Sequence, residues 1–176
     1  CLEDGSKLKL GQHVKYDRHV FANHGIEVQG YAHDTMLQSY VLEAHLQPAL
    51  ERVAERTVHR HGLSYEDVCG KGAHQIAFSQ VDVARATTYS GEDSDLALAV
   101  HQALWPRIEA EPGFLRIYRD IEVPTSALLQ RVERHGVLVD TAQLAAQSRD
   151  LALRMSELEA QAYDVAGQPF NLGSPK

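Results

Sequence analysis

Leu8-Lys9-Leu10 alternates apolar and polar side chains and stops at Gly11, the period of a short strand. From Val14 to His24 the apolar positions recur three and four residues apart, which predicts a helix closed by Gly25. Ile26 to Ala32 reads as a second short strand. Asp34 is set to cap a helix whose apolar face carries Met36, Leu37, Tyr40 and Val41. Pro48 stands near the first turn of the next helix, which runs to about His61 and ends at Gly62. Leu63 to Ser79, with Gly70 and Gly72, predicts loop with one short helical turn. Gln80 to about Glu109 is helical, in one broken piece or two. Pro112-Gly113 is the clearest breaker and sets the expected domain boundary, with 1–111 on one side and 112–176 on the other. Beyond it come a helix ending at Gly136, an extended Val137-Leu138-Val139, and a long helix from Thr141 to about Ala166, with Asp140 and Gln143 at capping-box spacing. Short strands scattered among more numerous helices make an α/β piece biased to helix.

Composition narrows the class. In 176 residues, 44% are hydrophobic and 23% charged, enough apolar material for a packed core. No apolar run spans a bilayer, so no membrane partner is expected. Cys1 and Cys69 are too few for a disulfide framework and fit a reduced cytoplasmic setting. The net charge of −7 excludes a generic basic nucleic-acid binder. It does not exclude a metal-dependent nuclease, which gathers carboxylates, and protonating all ten histidines would reverse its sign. The chain opens on Cys1 and stops at Phe170-Asn171-Leu172-Gly173-Ser174-Pro175-Lys176, where a new element begins; it reads as an internal piece of something longer.

Two acids stand out by register. On a helix, Tyr89, Asp93, Leu96, Val100 and Leu104 share one face, so Asp93 continues an apolar stripe with a tyrosine hydroxyl one turn earlier. A carboxylate in line with a buried face needs a partner. Ser90-Gly91-Glu92-Asp93 also reads as a turn, with Asp93 capping a helix that starts at Ser94. Asp17 lies in register with Val14 and Phe21, or is an exposed first-turn acid favoured by the helix dipole. Capping accounts for Asp34. The histidines lack metal-ligand spacing, Gly70-Lys71-Gly72 is too short for a phosphate loop, and there is no nucleophile signature. In the last helix, Leu144, Ser148, Leu151, Met155, Leu158, Ala162 and Val165 form a heptad seam with one polar interruption, made to pack against another helix.

Gly11-Gln12-His13-Val14-Lys15-Tyr16-Asp17, then Asp34-Thr35-Met36-Leu37, then Tyr89 through Asp93 to Asp95, resemble in order the 3′–5′ exonuclease domain of bacterial family A DNA polymerases. Ile121-Glu122-Val123-Pro124, Arg131 to Val137 and Phe170 to Lys176 resemble the opening of the polymerase domain of that family. The resemblance implies a ribonuclease-H-like domain lacking its first strands, followed by a helical segment that opens the polymerase thumb. It implies an exonuclease that removes mispaired 3′ nucleotides through two divalent ions, Mg²⁺ with Mn²⁺ or Zn²⁺ as possible substitutes. By motif, Asp17 and Asp93 correspond to metal ligands and Tyr89 to the residue that orients the attacking water. His13 and Tyr65 stand where relatives meet single-stranded DNA, and a base can stack on Tyr65.

The family's first motif, Asp-x-Glu on a strand, has no equivalent here, so two of four carboxylates are lacking. His13 stands where some relatives have Asn, and His45 to Arg52 departs from the family pattern. The expectation is a piece of a cytoplasmic, monomeric polymerase whose parent proofreads and extends DNA, taking a single-stranded 3′ end at the exonuclease site and a primer-template duplex at the thumb. The piece alone is expected to be inactive. A stand-alone exonuclease of the RNase D type and a non-catalytic helical interaction module, dimerising through the seam, are the alternatives.

Overall fold

A computed structural model describes residues 1–173, and the last three residues of the tail motif lie outside the described residues. The chain divides into two compact units, the first Cys1–His135 and the second beginning at Gly136. No helix among the described residues is long and apolar enough to cross a membrane.

The first unit opens with β1 (Lys9–Gly11), α1 (Val14–Asn23) and β2 (Tyr31–Asp34). The strands pair in parallel, with Leu10 opposite His33 and Gly11 opposite Asp34. A parallel pair needs a crossover, and α1 supplies it. The second strand is shorter than Ile26 to Ala32 and shifted toward the C-terminus. Gly30, at φ +75°, turns the backbone out of extended geometry just before it, and a Cβ there would lie 2.5 Å from the Lys7 carbonyl oxygen.

Helix α2 (Thr35–Glu43) is capped by Asp34 as expected, and α3 (Leu50–Val58) follows. The loop beyond holds α4 (Tyr65–Cys69) and 3₁₀ turns at Gly72–His74 and Phe78–Gln80. Helix α5 (Val83–Glu109) is a single unbroken 27-residue helix, capped by Asp82, whose side chain accepts from the Ala84 and Arg85 amides. The break expected near Ser90-Gly91 is absent. Pro106 lies in the last turn of α5, where its missing amide forfeits the single ladder bond to the Gln102 carbonyl. The core is the α3/α5 interface: Leu50, Val53 and Ala54 pack on Leu96, Ala97, Val100 and Leu104. The apolar stripe read from the sequence is therefore buried, with Val100 and Leu104 fully enclosed.

Pro112 begins a helix rather than parting the compact units. It occupies the first turn of α6 (Pro112–Arg116), where a missing amide is no loss. A π-helical turn (Ile117–Glu122) and α7 (Val123–His135) continue from it. This stretch is tied to the strand-bearing half. The Tyr118 hydroxyl, buried, accepts the Asp34 amide at 2.9 Å, Glu133 pairs with Lys15 and with His19, and Arg134 donates to Asn23 Oδ1 at 2.6 Å.

The second unit is essentially α8 (Thr141–Ala166), with the boundaries that its apolar spacing predicts. Asp140 Oδ1 accepts the Gln143 amide at 2.9 Å, and Gly167 closes the helix in the left-handed region. Phe170 meets Tyr163 edge to face. No residue of α8 is buried, and Leu144, Leu151, Met155 and Leu158 of the seam are all more than half exposed.

Candidate active site

Three segments converge on one open cleft of about 770 Å³ in the first unit. The end of β1 and the start of α1 contribute His13 and Asp17, the first turn of α3 contributes Glu51, and the N-terminal half of α5 contributes Tyr89 and Asp93. The residues that spacing alone left ambiguous thus share a cavity. Asp93 lies inside α5, three turns past its cap, so it caps nothing. Asp17 is not a fully solvated first-turn acid. It lines the cleft, and a Cβ added to Gly11 would come within 3.5 Å of its Oδ2.

Burial leaves its mark on these groups. It raises the Asp17 carboxyl above the ordinary range, and the neighbouring Asp34 charge adds to the effect. Burial raises Asp93 too, against a lowering by the Tyr89 hydroxyl, with Glu51 and Glu92 adding like charge. Tyr89 is pushed up to about 12, first by burial and then by the Asp93 anion. At neutral pH it is a phenol, able to orient a polar group but not to act as a base.

Asp34 holds the arrangement together without lining the cleft. One oxygen accepts the His13 amide at 3.0 Å and the Met36 amide at 2.9 Å; the other accepts the Val14 amide at 2.8 Å. The carboxylate thus caps α2 from its own N-cap position and α1 from across the sheet. That second cap matters because His13 adopts φ +58° and supplies no side-chain cap of its own. The sequence signalled the local cap and gave no sign of the remote one.

Tyr65 is not among the residues lining the cleft. Its ring stacks on Phe78 at 6.3 Å, and Phe78 in turn contacts Tyr89 at 5.9 Å, so a row of aromatic rings leads to the cleft. Phe78 and Glu51 were missed by sequence reasoning. Glu51 sits in the segment that departs from the family pattern, and only its first-turn position on a helix marked it. Among the described residues no three His, Cys, Asp or Glu side chains lie close enough to hold one metal ion. The acids present therefore do not by themselves fit a two-ion centre.

A family described as 3′–5′ exonuclease matches residues 1–109. The chain is 48% identical to a DNA polymerase I of Pseudomonas aeruginosa over 178 aligned positions, covering 99% of this chain and 20% of that protein. It is 39% identical to a DNA polymerase I of Rhizobium leguminosarum, covering 99% of this chain and 17% of that one. Among solved structures, the POL domain of Pol1 from M. smegmatis, in complex with DNA primer-template and dNTP, superposes with a TM-score of 0.63 at 27% identity, covering 99% of this chain and 27% of that chain. The chain spans about one fifth of the length of these curated relatives. With well over half of its residues inside the exonuclease match, and relatives of one kind aligned along nearly all of it, the chain belongs to the 3′–5′ exonuclease family of the bacterial family A DNA polymerases.

Proposed function

We propose that this chain is the greater part of the proofreading exonuclease of a DNA polymerase I, residues 1–111, with the opening of its polymerase domain, residues 112–176. The observation that carries the reading is the meeting of Asp17, Tyr89 and Asp93 in one cleft, from two distant stretches that both fall within the family match. In this reading the domain is ribonuclease-H-like, and α8 belongs to the thumb that holds primer-template duplex. The parent hydrolyses the 3′-terminal phosphodiester of DNA, extends DNA on a template, and works as a cytoplasmic monomer.

The roles follow from chemistry. Exonuclease domains of this family are metal-dependent. Asp17 and Asp93 are the donors this chain contributes toward Mg²⁺, Mn²⁺ or Zn²⁺, and bound divalent ions would supply charge stabilisation at the phosphoryl group. Tyr89, held protonated, orients the attacking water by hydrogen bonding. His13, on the strained turn at the cleft edge, and Tyr65, at the end of the aromatic row, contact the single-stranded 3′ end. An incomplete donor set leaves the chain by itself inactive.

In the longer polymerase, Asp17→Ala and Asp93→Ala should each abolish release of nucleotides from a labelled single strand while leaving primer extension intact. Exonuclease activity surviving both changes would refute the assignment. The chain alone, given the same strand with Mg²⁺ or Mn²⁺, should show no turnover. Turnover that Asp93→Ala abolishes would overturn the claim that it is inactive.

A further inference from the structure

Behind the cap that Asp34 provides lies a buried cluster which the proposed chemistry leaves unused. The Asp34 amide donates to the Tyr118 hydroxyl, and that hydroxyl lies against the side-chain amide of Gln38. Gln38 is fully enclosed; its amide nitrogen is 3.0 Å from His101 Nδ1 and 3.5 Å from His33 Nδ1, and its amide oxygen is 3.2 Å from His101 Nδ1. The two imidazole rings lie 4.3 Å apart, Trp105 meets His33 edge-on at 4.5 Å, and the Arg119 guanidinium sits 5.5 Å over the Trp105 ring. No buried side-chain nitrogen or oxygen among the described residues lacks a partner.

This geometry selects one protonation state for His33. An amide nitrogen only donates, so the His33 Nδ1 that faces it offers a lone pair, and His33 is neutral with the proton on Nε2, whereas His101 Nδ1 faces both the nitrogen and the oxygen of the amide and can bond to Gln38 as acceptor or donor. A proton added to His33 Nδ1 sets donor against donor and places a new cation near Arg119. The groups facing the pair are His101 from α5, Arg119 and the neutral Tyr118 from the π-helical turn, Gln38 from α2, and Asp34 beside His33 on β2. Burial, His101 and Arg119 together hold His33 at about 4, and burial lowers His101. The Asp34 carboxylate, turned to the amides of His13, Val14 and Met36, does not offset them.

We propose that the Tyr118–Gln38–His33–His101 cluster is a positioning device for the cleft, fixing Asp34 and, through its remote cap, the start of α1 that carries His13 and Asp17, for as long as the His33 imidazole stays neutral. Its value to catalysis rests on the nuclease reading above; the positioning itself does not. Tyr118 fixes the Asp34 backbone by accepting its amide, Gln38 holds Tyr118 and the two rings in register, and the Asp34 carboxylate transmits that placement to α1.

The test is an NMR titration of the whole chain with ¹⁵N-labelled histidine and backbone, from neutral pH to about pH 4. At neutral pH, His33 should show a bare Nδ1 and a protonated Nε2. The amide resonances of His13 and Val14 should then move in the same step in which the His33 imidazole titrates, below the ordinary histidine range. Gln38→Glu, which replaces the donor facing His33 Nδ1 by an acceptor and adds a negative charge, should raise the His33 midpoint by about one unit. Tyr118→Phe, which keeps the ring, should displace the His13 and Val14 amide resonances at neutral pH. An Nδ1-protonated tautomer of His33, an ordinary His33 midpoint, or stationary His13 and Val14 amides while His33 titrates would each overturn the proposal. Stationary amides do so even where Asp93→Ala abolishes exonuclease activity in the longer polymerase. Activity that survives Asp93→Ala sinks the nuclease reading and leaves a positive amide titration standing as support for the positioning.

Discussion

Replacing Asp34 by alanine removes one acceptor group from two helices at once. The lost contacts are the cap of α2, through the Met36 amide at 2.9 Å, and the cap of α1, through the His13 and Val14 amides at 3.0 and 2.8 Å. A lost cap costs about 1 kcal/mol. A buried amide left without a partner adds about 1–3 kcal/mol, and the Val14 amide is the one most enclosed. Against this, burial raises the Asp34 carboxyl above its ordinary range, so removing the charge returns part of that cost. The balance is a loss of about 3 kcal/mol for Asp34→Ala. Asp34→Asn keeps one oxygen for His13 and Met36 and turns an NH₂ toward Val14, so it should cost less, about 1–2 kcal/mol. Urea unfolding followed by circular dichroism measures both, with the slope unchanged. Hydrogen exchange should accelerate most in the first turns of α1 and α2. A loss below about 1 kcal/mol for the alanine variant, or acceleration spread evenly over the helices, would refute the double-cap argument.

Leu104→Ala, at a fully enclosed site in the α3/α5 core, should cost about 2–5 kcal/mol in the same urea experiment, since the space left cannot fill with water. Gly62→Ala would set a Cβ 2.5 Å from Leu96 Cδ1, and Leu96 is only 1% exposed, so a loss of about 1–3 kcal/mol is expected; an unchanged midpoint would mean that Leu96 has room to turn. Asp93→Asn removes the anion beside Tyr89, which favours the phenolate. The Tyr89 midpoint should fall from about 12 only part of the way to 10, because burial is the larger cause, and NMR of the ζ-carbon of labelled tyrosine reads it directly.

Elements governed by local rules were legible in the chain. Helix α8 runs Thr141–Ala166 because Asp140 starts it and Gly167 ends it, both by capping chemistry written within a few residues. The α5 stripe was legible for the same reason: three- and four-residue spacing puts Leu96, Val100 and Leu104 on one face, and that face is the core. The start of α5 was harder to place. Ser90-Gly91 carries the residues of a turn, but the packing of Leu96, Ala97 and Val100 on α3 and the cap at Asp82 hold the helix together across it. The second strand was misplaced because its limit is Gly30, whose backbone is pressed against the segment at Lys7, a contact with no local signal.

The site divides along the same line. Asp93 carries a signal that spacing can reveal, a carboxylate in line with a buried face, because its own helix sets both its burial and its neighbour Tyr89. Asp17 owes its place to Asp34, which lies beyond a strand and a crossover, and no pattern within α1 announces that an acid seventeen residues on will cap it from outside. Burial therefore raises both carboxyls, but for different reasons: one by helical register, the other by a remote cap that fixes the strained turn at His13. It follows that the two acids answer differently to mutation elsewhere. Changes in the α3/α5 core should reach Asp93 first, and changes at Asp34, Tyr118 or Gln38 should reach Asp17 first. Hydrogen exchange at the amides of Asp17 and Asp93 in Leu104→Ala and Asp34→Asn should separate the two, and equal acceleration at both positions in both variants would show that the cleft moves as a single body.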